Sequence, residues 1–180
     1  MSWSEGELRL LKLDALDERY RRYRLMLSTD EQAMARSMAR YGQVSPIVVC
    51  VQEEVAVLLD GFKRLAAARR LRGFDVLTAR RIEVDERRAK AAVFTLNQMN
   101  RRPQEWEEAW LVHAFVREDG MSQVEVAELL GRHKSWVCRR LALVEKLAEP
   151  AKEDLRVGLL SMTMARELVR LPAGNQVEAL

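Results

Sequence analysis

The chain has 180 residues, 48% of them hydrophobic and 32% charged, with a formal net charge of +3 and a pI near 9.1. It contains no run of about eighteen apolar residues, which excludes a transmembrane helix. The opening Met1-Ser-Trp-Ser-Glu-Gly-Glu lacks a basic stretch followed by an apolar one, so no secretory signal and a cytoplasmic location are expected. Cys50 and Cys138 form no C-x-x-C pair and only His113 and His133 accompany them, so no structural zinc site is expected.

Leu8–Leu13 alternates apolar and basic residues and predicts a strand. Ser28-Thr-Asp-Glu-Gln predicts a helix start, with Ser or Thr as the cap and acids in the first turn. Ala33, Met34, Met38 and Ala39 recur at helical spacing and Gly42 ends the element. Pro46-Ile-Val-Val-Cys-Val and Val55–Leu59 predict two strands, joined by a turn at Glu53-Glu54. Gly61 then breaks the strand and opens a helix whose buried face is Leu65, Ala66, Ala68 and Leu71, with Gly73 as its cap. Val76–Val84 predicts another strand. From Arg87 onward the sequence is helical, punctuated by Pro103, Gly120, Gly131, Pro150, Gly158 and Pro172. The expected fold class is α+β: a mixed-sheet unit over residues 1–95, then an all-helical unit over 96–180.

Charge is clustered rather than spread. Gly61–Arg72 carries Lys63, Arg64, Arg69, Arg70 and Arg72 without an acid. Gly131–Lys146 carries Arg132, Lys134, Arg139, Arg140 and Lys146 against Glu145 alone. Such local density suits phosphate partners, although a solvated helix face would look the same.

The second cluster falls in the most specific local signal of the chain, at residues 122–141. Ser122 and Glu125 have capping-box spacing. Val126, Leu129 and Leu130 supply an apolar face, Ala127 is small enough for a close helix crossing, and Gly131 permits a positive φ. Lys134-Ser135 then opens a second helix that buries Val137 and Leu141. The pattern predicts a helix-turn-helix, against the competing reading of a plain αα-hairpin. Its second helix would enter a major groove of double-stranded DNA. Gln123 and His133 belong to the DNA-facing set. Ser135, Trp136 and Arg139 are expected at base edges, and Arg132, Lys134 and Arg140 at phosphates.

Asp60-Gly-Phe-Lys-Arg lies where a strand gives way to a helix, a place suited to an anion. Lys63 and Arg64 oppose the helix dipole there, and a bound polyphosphate would explain them. The segment is not a P-loop, and neither H-E-x-x-H nor G-x-S-x-G occurs. Glu107 and Glu108 are adjacent on a helix, so they diverge, and a solvated face or a cap after Pro103 is expected of them.

The order of these pieces resembles the ParB family of chromosome and plasmid partition proteins. Gly42-Gln-Val-Ser-Pro-Ile-Val-Val is similar to the family's first box, and Asp60-Gly-Phe-Lys-Arg-Leu-Ala-Ala-Ala to its second, G-E-R-R-x-R-A-A. Thr95-Leu-Asn-Gln-Met-Asn-Arg followed by Glu107-Glu-Ala is similar to the third, and Gly158-Leu-Leu-Ser-Met-Thr-Met-Ala-Arg-Glu-Leu to G-x-L-S-x-G-H-A-R-A-L. The resemblance implies a ParB/sulfiredoxin-like first domain that binds CTP and gates a clamp on DNA. Gly42, Ser45 and Pro46 would line the nucleotide, Gly61, Lys63 and Arg64 would take the phosphates, and Asn97 would sit near the triphosphate and its magnesium.

Phe62 stands where the family carries glutamate, and Leu96 where it carries an acid. The third-box arginine falls on Asn100, with Arg101 one residue away as its substitute. Leucine offers a metal no ligand, so Mg2+ is doubtful and CTP hydrolysis is expected to be weak or absent. The chain stops at Leu180, short of the dimerisation domain that the resemblance implies. A truncated chain or another mode of dimerisation is therefore expected, since palindromic half-sites need two copies. The leading expectation is a sequence-specific DNA-binding ParB-like homodimer served by a partition ATPase, in partition, a mobile element or regulation. The alternatives are a nucleotide hydrolase or kinase on the same fold and a non-hydrolysing adaptor.

Overall fold

A computed structural model describes residues 4–100 and 105–179, with side chains in the first stretch followed to Leu96. The chain divides into two compact units, Met1–Asn100 and Arg101–Leu180. The expected boundary at residues 95 and 96 falls inside a helix, Glu86–Asn100, that runs without a break.

Unit 1 is a five-stranded mixed sheet with helices. Its strands are β1 (Leu8–Lys12), β2 (Leu16–Asp17), β3 (Ile47–Gln52), β4 (Val55–Asp60) and β5 (Val76–Arg81), in the order β1-β5-β3-β4-β2. Two pairings, β1 with β5 and β3 with β4, are antiparallel; β5 with β3 and β4 with β2 are parallel. Strand β3 is central, and Ile47, Val48, Val49 and Cys50 are all buried, which accounts for their uninterrupted apolar run. In β1 and β5 the apolar residues alternate instead. Leu77 and Ala79 face the core while Leu8, Leu10 and Val76 are exposed. The β3–β4 hairpin turns on Glu53 and Glu54, both at positive φ (50° and 65°), the pairing of signs a two-residue hairpin turn requires. Around the sheet lie α1 (Ser28–Tyr41), α2 (Phe62–Arg70) and α3 (Glu86–Asn100); α1 packs on α2, and α3 on β4.

Local details depart from expectation where tertiary contacts decide. Leu27, not Ser28 or Thr29, is the N-cap of α1, and no side chain caps it. Helix α2 ends at Arg70 and buries Ala67 with Leu65 and Ala68, leaving Ala66 and Leu71 half-buried. The predicted strand to Val84 stops at Arg81.

Unit 2 is helical, with α4 (Glu105–Arg117), α5 (Gln123–Leu129), α6 (Lys134–Lys146), α7 (Glu149–Val157), α8 (Met162–Leu168) and α9 (Ala173–Glu178). Trp106 and Ala109 of α4, Leu143 of α6, Leu155 of α7 and Leu168 of α8 share one core. Gln176 of α9 is buried, and it accepts from the Ala148 N–H (2.8 Å) and donates to the carbonyls of Lys146 (2.9 Å) and Leu171 (3.0 Å). That amide fastens the α6–α7 junction to the last helix while leaving no buried polar atom of its own unmet. No helix among the described residues is long and apolar enough to cross a membrane.

Gly61 leaves no room for a side chain. It sits at φ +109°, and a Cβ there would lie 2.5 Å from Ile47 Cγ2 and 2.9 Å from its Cβ. Gly42 also has positive φ (+70°), but its Cβ position is open. Gly61→Ala therefore combines backbone strain with overpacking and is expected to cost about 2–5 kcal/mol, whereas Gly42→Ala meets the strain alone, about 1–2 kcal/mol. Urea denaturation of the two variants checks the ranking; equal losses would show that the Ile47 contact relaxes freely.

Candidate nucleic-acid interface and sheet cleft

The helix-turn-helix forms as its sequence dictates. Ser122 accepts from the Glu125 N–H (3.2 Å) while the Glu125 carboxylate accepts from the Ser122 N–H (2.8 Å), closing the capping box. Gly131 turns the chain at φ +61°. His133 caps α6, its Nδ1 accepting from the Ser135 N–H (3.2 Å) and lying 2.8 Å from the Ser135 hydroxyl. Val126, Ala127, Val137 and Leu141 are buried between the two helices and their neighbours.

The exposed arc of α6 is Lys134, Ser135, Cys138 and Arg139. Among the described residues neither Lys134 nor Arg139 has a side-chain partner, so both charges are available to a ligand. The Trp136 indole is half-buried, with the Arg132 guanidinium 5.4 Å from the ring centroid and that of Arg140 at 5.1 Å. Gln123 opens α5, half-buried.

Arg140 corrects the reading of an outward, phosphate-facing residue. Its side chain is 14% exposed and is held by Glu108 at 2.7 Å and Glu105 at 3.6 Å. Burial on α4 likewise corrects the solvated face expected of Glu107 and Glu108, the second of which is the partner of Arg140. A guanidinium this far out of water is costly to bury without a carboxylate beside it, and α4 supplies one. Cys138 was missed because a thiol carries no charge signal; its place on the arc follows from lying four residues after Lys134.

In unit 1 the basic run of α2 is mostly consumed internally. Lys63 is buried against Asp30, Arg69 pairs with Glu18 and Arg70 with Glu31. Arg64 donates to the Ser45 carbonyl (2.8 Å) and hydroxyl (2.7 Å), to the Pro46 carbonyl (2.6 Å) and to Asp60 (2.7 Å). The expected set thus separates. Ser45, Pro46 and Arg64 line one cleft of about 510 Å³ with Gly6, Leu8, Val48, Asp60, Arg80 and Leu96. Gly42 caps α1, Gly61 is packed against Ile47, and Lys63 is engaged by Asp30, all outside that lining. Asn97 falls within α3, but its side chain, like Arg101 and Pro103 altogether, lies outside the described residues.

Register explains the cleft floor. Leu8 is paired with Arg80, Arg80 with Val48 and Val48 with Asp60, so the four lie in one row across β1, β5, β3 and β4. Gln43 holds the loop above it: its amide donates to the Thr78 carbonyl (2.8 Å) and accepts from the Thr78 N–H (2.7 Å), meeting backbone groups of β5 just before its pairing with β3 begins. Arg80 and Gln43 were not singled out by spacing, because each acquires its place from a partner strand.

Residues 104–180 match the family described as the ParB HTH domain. The probable chromosome-partitioning protein ParB of Coxiella burnetii is 29% identical over 177 residues, which are 98% of this chain and 60% of that protein. The chain therefore spans about 60% of the length of this curated relative. Among solved structures, a Pnob8-like ParB-N domain superposes with TM-score 0.57 at 15% identity, over 93% of this chain and 81% of that one. The C-terminally truncated Caulobacter crescentus ParB in complex with the centromeric parS site gives 0.53 at 19% identity, over 95% and 92%. These likenesses define the class: an α+β domain of the ParB-N type followed by a ParB-type helix-turn-helix domain. Residues 104–180 thus match the ParB HTH domain family, and the chain as a whole is similar to chromosome-partitioning ParB proteins.

Two outcomes follow from the packing. Glu108→Ala leaves the Arg140 guanidinium half-buried with only the longer Glu105 contact, an expected loss of about 2–4 kcal/mol; Glu145→Ala, which frees the exposed Arg117, costs less than about 1 kcal/mol. Thermal or urea unfolding compares them, and a larger loss at Glu145 would contradict the assignment. Burial pushes the Cys50 thiol up to about 11, whereas Cys138 is exposed. At about pH 8 a maleimide is expected to label one thiol in the folded protein, Cys138, and two after unfolding; rapid native labelling of Cys50 would show that β3 is accessible.

Proposed function

We propose that this protein binds double-stranded DNA in a sequence-specific manner through α6, as a homodimer, in the manner of a partition protein. The observation that carries the reading is the exposed arc of α6, where Lys134 and Arg139 stand unpaired among the described residues beside the Arg132–Trp136 contact. That arc belongs to a ParB HTH domain, and the Caulobacter crescentus relative was solved with its parS site. Arg139 and Trp136 read base edges in this proposal, with Ser135 and His133 fixing the first turn of α6. Lys134 and Arg132 take phosphates. Arg140 does not touch DNA; it stiffens the Trp136 ring from behind.

The cleft of unit 1 is the nucleotide site in the same reading, with CTP as its ligand and clamp closure on DNA as its output. Two guanidiniums, the Ser45 hydroxyl and apolar walls at Leu8, Val48 and Leu96 suit an anion that also carries a ring. A partition ATPase would be the second macromolecular partner.

Selection from random DNA followed by gel shift tests the DNA reading. A single enriched motif is expected at moderate salt, and none would overturn it. Arg139→Ala is expected to relax preference at one position by about 1–3 kcal/mol, while Lys134→Ala weakens all sequences alike and reduces the salt slope by about one per copy.

A further inference from the structure

We infer that the unit 1 cleft binds its polyanionic ligand without a divalent cation, Arg80 supplying the positive charge that a metal would otherwise bring. The inference rests on the nucleotide reading of that cleft and concerns how the phosphates are held. A magnesium ion carrying phosphates needs one or two carboxylates beside them. Asp60 is the one carboxylate among the described lining residues, and its Oδ2 is already occupied by Arg64 at 2.7 Å. No group of three or more His, Cys, Asp or Glu that could hold a metal occurs among the described residues. The donor set that the described residues give the cleft therefore does not fit magnesium.

The same cleft does hold a free cation. Arg80 is exposed on the sheet face and lines the cavity, and no side-chain partner for it exists among the described residues. Its position is fixed by the backbone. Flanking residues Ala79 and Arg81 are paired with β1, β3 or both, and Arg80 itself sits between Leu8 and Val48. Its guanidinium thus rises from the floor, in the same row as Asp60. With Arg64 neutralised by Asp60, the net charge of the lining side chains is that of Arg80, and the remaining surface is Leu8, Val48, Pro46, Leu96 and Ser45. Free arginine over an apolar floor is a phosphate receptor by charge and by its planar array of donors. It favours the fully ionised triphosphate, because a metal on the phosphates would cancel part of the charge that Arg80 attracts.

Calorimetry on the full chain tests this with CTP and with inorganic tripolyphosphate, each in chelator and in excess Mg2+. Binding in chelator is expected to be at least as tight as in Mg2+. Arg80→Ala should weaken it about tenfold or more, Arg80→Lys should retain part of it, and Arg72→Ala, outside the cleft, should leave it unchanged. Leu96→Glu places a carboxylate in the wall and should weaken metal-free binding, which keeps the test open if the alanine variant fails to fold. CTP binding that appears only with Mg2+, or that survives Arg80→Ala intact, overturns the inference while sparing the nucleotide reading. Arg80-dependent binding of tripolyphosphate without any of CTP sustains the inference and sinks the nucleotide reading. No binding of either anion overturns both.

Discussion

A guanidinium or ammonium drawn out of water must find a carboxylate or carbonyl, and that requirement sorts the basic residues of this chain into structural and available ones. In unit 1, Lys63, Arg64, Arg69 and Arg70 of the same short helix are each claimed, by Asp30, Asp60, Glu18 and Glu31. These pairs bind α2 to α1, to the strand before it and to Glu18 at the start of the Arg19–Tyr23 turn. In unit 2, Arg140 is claimed by α4. Among the basic residues left without a side-chain partner, Arg80 lines the unit 1 cleft and Lys134 with Arg139 lies on the outer arc of α6, the two surfaces proposed to meet a polyanion. Basic density alone pointed at both helices; pairing decides which charges count.

The fold creates these leftovers through backbone constraints. Gly61 lets β4 turn into α2 directly over Ile47, and that close approach places Arg64 where the Ser45 and Pro46 carbonyls can hold it. Sheet register then sets Arg80 and Asp60 in one row, two strands apart, so that Asp60 serves Arg64 on its own side and Arg80 stays unclaimed. In unit 2 the capping box, Gly131 and the His133 cap fix the entry of α6, and the buried Glu108–Arg140 pair fixes its roll. Roll matters for reading, because turning α6 by one residue would exchange Arg139 for Arg140 on the outer arc.

The legible parts of this molecule were the local ones. Ser122 with Glu125, Gly131, and Val137 with Leu141 are short-range signals, and the helix-turn-helix they predict forms at those residues. The α+β class and the β3–β4 hairpin were readable for the same reason. Arg140 looked like its neighbour Arg139 because the carboxylate that claims it lies 32 residues earlier. Lys63 looked free because Asp30 lies 33 residues away, and Gln43 gave no signal because its strand partner Thr78 lies 35 residues on. Periodicity reports which face of an element is apolar; it cannot report which distant acid meets a base.

The sorting has a consequence for how tightly each surface can hold its ligand. Each phosphate neutralised by a free cation contributes one increment of salt-dependent affinity, and α6 offers few such cations per copy. In the proposed reading, Lys134 and Arg139 on one helix would give a shallow salt dependence, and base contacts would carry the discrimination. A second copy on a symmetric site doubles both contributions without any new residue, which is why the proposed homodimer is the economical solution for this reading head. The cleft of unit 1 obeys the same arithmetic. With a single uncompensated guanidinium it would hold a triphosphate loosely and release it as salt rises, the behaviour of a ligand sensor rather than of a site built to retain a metal-bound nucleotide.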